Sequence, residues 1–161
     1  MDEEKKIARI EITFRRKWDF IRYIRNIFHL FLLRKYNDVN YCDRIVMSLS
    51  ELIENSIKYS QKDKVHLIAE FKKDQVVSEI INYPKLKNFL NFKEEIETIN
   101  QMDAKEAYVA AMKRVSKRSD KKKSQLGLSR IRYEGKADIS FKAQNINSKT
   151  KKLNIKVTFN R

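Results

Sequence analysis

Five short stretches of this chain alternate apolar and polar residues with a period of two, and no other feature constrains its fold as strongly. Ala8, Ile10, Ile12 and Phe14 form the first, Val65, Leu67, Ala69 and Phe71 the second, and Val76 to Asn82 the third. Ala137, Ile139, Phe141 and Ala143 form the fourth, and Leu153, Ile155, Val157 and Phe159 close the chain. Successive side chains of a strand point to opposite faces, so each stretch reads as a strand with one dry and one wet side. Lys72-Lys-Asp-Gln75 supplies a turn that joins the second and third into a hairpin.

Between these strands the period becomes helical. From Lys17 to about Tyr36 two apolar stripes run side by side: Trp18, Ile21, Ile24, Phe28 and Phe31, and then Phe20, Tyr23, Ile27, Leu30 and Leu33. One stripe suffices to bury a helix on a sheet, so the second either packs on another chain or marks a fully buried helix. Asn37-Asp38 offers a turn and an N-cap for a second helix running to about Ser60. Helical spacing returns over 86–100 and 104–115, then briefly from Leu126 to Tyr133, where Gly135 can end it.

The order β-α-α-β-β-α-α-α-β-β predicts one domain over residues 1–161. Its class is α/β (α+β), a two-layer sandwich: a mixed, mostly antiparallel sheet of about five strands with helices on one face. A chain of 161 residues that is 42% hydrophobic, with 9 Phe and 7 Tyr, can build such a core. The single Cys42 excludes an internal disulfide. No apolar leader follows Met1-Asp-Glu-Glu, and the most apolar run, Trp18 to Leu33, contains Asp19, Arg22, Arg25 and His29. Neither pattern suits a signal peptide or a membrane span, so a cytoplasmic protein is expected.

The net charge of +15 favours anionic partners, although a Lys-rich composition can arise without functional cause. Arg114 to Ser124 concentrates six basic residues against one acid. That stretch reads as a solvated loop, a phosphate-reaching lid or a nucleic-acid patch. It lacks the interleaved aromatics that stack on single strands, and no helix-turn-helix signature appears, so nucleic acid is disfavoured. His29 and His66 have no companion ligand at metal spacing in the sequence.

The most distinctive motif is Glu51-Leu-Ile-Glu-Asn55-Ser-Ile-Lys58-Tyr59-Ser60 on the second helix. Glu51 and Asn55 are four residues apart, one above the other, and can address one ligand together. On a helical wheel Ile45, Val46, Leu49, Leu52, Ile53 and Ile57 share one arc. Arg44, Ser48, Glu51, Asn55 and Lys58 take the other, directed away from the core. By itself this is either a Mg-nucleotide helix or a solvated face.

The decapeptide resembles the N-box of the GHKL ATPase superfamily (the Bergerat fold of histidine kinases and gyrase). Ser124-Gln-Leu126-Gly127-Leu128-Ser129-Arg130-Ile131 resembles the glycine box that follows the ATP lid in histidine kinases, although only Gly127 remains of its glycines. The resemblance implies that Asn55 supplies an oxygen to Mg²⁺, that Glu51 acts as catalytic base, and that Lys58 offsets phosphate charge. Asn82, Gly127 and Leu128 would complete the ATP site. Where the family places Asp-x-Gly-x-Gly, however, this chain has Asn82-Tyr83-Pro84-Lys85-Leu86, which implies weak or absent ATP binding.

Within the superfamily the chain is most similar to bacterial partner-switching regulators, the RsbW-like anti-sigma kinases and especially the SiaB-like kinases. The region 85–115 looks like the helical insert of the latter, with a lid-like loop at 114–124. The implied partners are an antagonist of STAS-like or SiaC-like type, or a sigma factor. A homodimer through the helix at 17–35 is a further implication of its second stripe. Three functions are in competition: an ATP-dependent Ser/Thr protein kinase, a GHKL module that binds without turnover, and a basic nucleic-acid-binding protein.

Overall fold

A computed structural model describes residues 8–117 and 126–161. The start of the chain, most of the basic run, and Ser124 with Gln125 of the second box lie outside the described residues.

Each of the five alternating stretches is a strand: β1 (Ala8–Arg15), β2 (Lys64–Phe71), β3 (Gln75–Asn82), β4 (Ala137–Asn145) and β5 (Lys151–Asn160). They form one sheet in the order β1-β2-β3-β5-β4, and every pairing is antiparallel. The alternation sets the register. Leu67 stands opposite Ile80 and Ile80 opposite Ile155, so the dry positions of three strands align on one face. The other face carries Thr13, His66, Glu79 and Lys156 and faces away from the helices.

Helices α1 (Asp19–Tyr36), α2 (Val39–Tyr59), α3 (Leu86–Asn100), α4 (Ala104–Ser116) and α5 (Gly127–Tyr133) cover the dry face. The α1–α2 junction is as the residue types require. Asn37 takes the left-handed conformation (φ 49°), a region asparagine tolerates, and its N–H donates to Leu33 O. The Asp38 carboxylate then accepts from the Tyr41 N–H at 3.0 Å, capping α2. Asp103 caps α4 in the same way through the N–H groups of Lys105 and Glu106. Tyr41 of α2 is buried, and its hydroxyl donates to Phe159 O at 3.0 Å, tying α2 to the interior strand β5. Burial raises its phenol pKa to about 12.

Two wheel assignments are corrected. The buried stripe of α1 is Ile21, Ile24, Phe28, Leu32 and Tyr36, whereas Trp18 precedes the helix and is exposed. Leu32 replaces Phe31 in the buried line because, from Ile24 on, that line advances four residues per step and drifts around the helix. Of the second stripe of α1, Tyr23, Ile27 and Leu30 are exposed among the described residues, whereas Leu33 packs against the core and Phe20 lies against Phe14. The polar arc of α2 is not uniformly wet either. Ser48 is completely buried, because α5 and Gly135 close over that part of the helix.

Candidate functional site

Helix α2 positions Glu51 and Asn55, and α5 lies directly against both. A Cβ placed on Gly127 would stand 3.0 Å from Glu51 Oε2 and 3.4 Å from Asn55 Nδ2. The absence of a side chain at Gly127 lets the first turn of α5 come this close without displacing either group. Arg130, one turn on, donates from Nη1 to Glu51 Oε1 at 3.0 Å and from Nε to Glu134 Oε2 at 2.8 Å. Tyr108 of α4 donates to the other Glu134 oxygen at 2.8 Å. Hydrogen bonding from Arg130, with Tyr108 adding to it, holds the Glu134 carboxyl below the usual carboxylate range. Leu128 and Ser129, next to Gly127, are buried.

Helix α2 owes these close approaches to its small polar residues. Ser48, Ser50 and Ser56 return their hydroxyls to the carbonyls of Arg44, Val46 and Leu52 within the helix. Each polar group is thereby satisfied without a partner from outside, and a neighbouring element can pack against it.

The structure also brings Asn82 to this helix. Its Nδ2 donates to Ser56 Oγ at 3.1 Å, the residue is only 3% exposed, and its Oδ1 has no hydrogen-bond partner. The following segment is fastened to the end of α2. The Tyr83 N–H donates to Ser60 Oγ at 3.0 Å, Pro84 bridges to Ser60, and the Lys62 ammonium lies 4.0 Å from the Tyr83 ring centre. Lys58 is exposed, with its ammonium 5.2 Å from the Tyr59 ring centre.

Of the residues expected at a Mg-nucleotide site, Glu51, Asn55 and Gly127 meet at one contact; Leu128 is buried next to Gly127, Asn82 bonds to Ser56 of the same helix, and Lys58 is exposed. Their packing does not fit a Mg-nucleotide as it stands. Glu51 is engaged by Arg130, Gly127 sits on the Asn55 amide, and Asn82 is sealed beneath Ser56 where no base can reach it.

The open space lies on the other side of Glu51. A cleft of about 320 Å³ between α1, α2 and α5 is lined by Arg25, His29, Asp43, Glu51, Glu54 and Arg130 over a floor of Val46 and Met47. His29 Nε2 is 3.0 Å from Asp43 Oδ1. The Glu54 carboxyl is pushed above its ordinary range by burial and by the Glu51 charge, with Arg25 and Arg130 acting against this. Of these residues only Glu51 stood out in the sequence. Arg25, Asp43 and Glu54 are spread over two helices with no common spacing, so only the antiparallel α1–α2 packing gathers them. His66, likewise isolated in sequence, has Glu11 at 2.8 Å from Nε2 and Thr13 at 2.8 Å from Nδ1 across the β1–β2 register. Among the described residues no group of three or more His, Cys, Asp or Glu side chains is arranged to hold a metal ion. Nor is any described helix long and apolar enough to cross a membrane.

No family model matches the chain, and no curated protein matches it. Among solved structures it is similar to a chain in the SiaB–SiaC complex from Pseudomonas aeruginosa, with a TM-score of 0.74. The match covers 96% of this chain and 91% of that one at 15% sequence identity. The two share a fold, from first strand to last.

Proposed function

We propose that this protein is a cytoplasmic partner-switching regulator that acts by binding a second protein, with its GHKL-type site closed by α5. The observation that carries this reading is the likeness in fold, over almost the whole chain, to a chain of the SiaB–SiaC complex. The Glu51–Arg130 contact and the sealed Asn82 favour binding without turnover over catalysis. The cleft beside Glu51 suits a partner loop that carries its own charges. Arg25 of α1 and Arg130 of α5 offer guanidinium donors, Asp43 and Glu54 of α2 offer acceptors, and Met47 can adapt to an apolar side chain. The implied partner is an antagonist of STAS-like or SiaC-like type, with a sigma factor as the alternative.

Calorimetry with Mg-ATP and Mg-ADP is the test. The binding-module reading expects no heat at millimolar nucleotide, and titration of a SiaC-like antagonist giving a complex weakened by Arg25→Ala. The kinase reading has one observation in its favour, the convergence of Glu51, Asn55 and Gly127 at a single contact. In that case Asn55 would hold Mg²⁺, which supplies charge neutralisation at the phosphates, and Glu51 would orient the acceptor hydroxyl. Micromolar nucleotide affinity that disappears in Asn55→Ala would establish it and overturn the closed-site reading.

A further inference from the structure

The exposed stripe of α1 has a symmetry that identifies what covers it. Tyr23, Ile27 and Leu30 follow one another at spacings of four and three, which places them on one face, and Leu30 is 71% exposed. The adjoining flank of the same helix is already committed to this chain's core. Phe20 lies against Phe14 of β1 with ring centres 6.4 Å apart, and Phe31 against Phe71 of β2 at 4.6 Å. Among the described residues Arg22 lies over the Tyr23 ring and donates to its hydroxyl at 3.3 Å, and the face beyond it is a separate surface rather than the edge of an incomplete core. Scattered surface apolar residues are ordinary, but three large ones in line on one helix are not.

Charge closes both ends of this line. Asp19 stands four residues before Tyr23, and Arg34 four residues after Leu30. Both are exposed, and neither has an ion-pair partner among the described residues. The run Asp19, Tyr23, Ile27, Leu30, Arg34 is self-complementary when reversed. If two copies of α1 pair antiparallel about a two-fold axis between Asn26 and Ile27, Tyr23 faces Leu30 of the second copy. Asp19 then faces Arg34 of the second copy, and the two Ile27 side chains flank the axis. Each contact occurs twice, as an isologous interface requires, and the helix dipoles oppose favourably.

The geometry points to α1 as a homodimer interface, its occupant a second copy of this chain seated antiparallel on Tyr23, Ile27 and Leu30. The dimer leaves the cleft between α1, α2 and α5 open, because Arg25 and His29 lie on a different face of the helix from Ile27. Sedimentation velocity tests it at about 100 μM, well above a micromolar dissociation constant. The wild-type chain is expected to sediment as a dimer, and Leu30→Glu, which alters an exposed side chain, as a folded monomer with an unchanged circular dichroism spectrum. Asp19→Arg and Arg34→Asp are each expected to weaken the dimer, and the combined variant to restore it. In a Cys42→Ala background, Ile27→Cys is expected to cross-link the two copies on oxidation. A wild-type monomer at that concentration, a dimer that persists in Leu30→Glu, or no recovery in the combined charge variant would each overturn the assignment.

Discussion

Arg130 on α5 bridges two glutamates, donating to Glu51 of α2 at 3.0 Å and to Glu134 at the end of its own helix at 2.8 Å. The first of these holds the motif that most resembles a nucleotide site; the second holds the end of α5. One guanidinium thus couples the closed state of the site to the integrity of the short helix that closes it.

Arg130→Met should therefore have two separable effects. The pairs are partly exposed, so the loss of stability is expected to be about 1 kcal/mol, read by urea unfolding. Glu134 should titrate nearer to the ordinary carboxylate range, because its principal hydrogen-bond donor has gone. The folded pKa of Glu134 is depressed, so its stabilising share is present above the unfolded value and lost as pH falls through the folded one. An NMR titration in which Glu134 does not move would show that Arg130 is not its controlling partner.

Gly135 is more tightly enclosed than Gly127. A Cβ there would lie 2.2 Å from Ile131 O and 2.4 Å from Ser48 Oγ, and the first of these is backbone that cannot swing aside. Gly135→Ala is expected to cost about 2–3 kcal/mol by overpacking. By contrast Gly127→Ala meets only side-chain ends, those of Glu51 and Asn55, and should cost less. Equal losses in denaturant unfolding would contradict this ranking.

Asn82→Asp supplies the residue type that the resemblance to the GHKL box implies at this point but should not create a site. The carboxylate would be buried beside Ser56 Oγ, whose hydroxyl already donates to Leu52 O at 2.9 Å. Leaving that charge uncompensated is expected to cost about 3 kcal/mol at neutral pH. The new carboxyl should have a raised folded pKa, so the penalty vanishes below about pH 4 and grows as pH rises above it. Comparing thermal unfolding of variant and wild type at acid and neutral pH measures this, and a pH-independent difference would refute it.

Glu95 of α3 gives a pH dependence of the same sign in the wild-type chain. Burial pushes its carboxyl up to about 7, with Arg114 only partly opposing. The folded state therefore retains a proton that the unfolded chain releases above pH 4.5. Stability falls between about pH 4.5 and 7, and the fall then levels off. Glu95→Gln should remove that fall and stabilise the protein at pH 8 by roughly 1–3 kcal/mol. An unchanged stability–pH curve in the variant would assign the dependence elsewhere.

Much of the fold was legible in advance because its signals are local. The dipeptide Asn37-Asp38 carries both the left-handed residue that ends α1 and the carboxylate that starts α2. The alternation of β2 and β3 fixes which face is dry. The wheel of α2 was legible only in part: it separates Leu52 from Glu51 but cannot show that Ser48 is buried. That burial depends on α5, some eighty residues away in the chain, finding Ser48 small enough to approach.

The residues Glu51 to Ser60 by themselves determined a helix and its core face and carried a resemblance in pattern, because periodicity and residue type act within a few turns. Only the tertiary structure decided what stands in front of the polar face. Arg130 rather than solvent meets Glu51, Asn82 lies sealed behind Ser56, and the open cleft falls toward α1. These are long-range packing outcomes, set by which helices the sheet brings together. No spacing along one element encodes them.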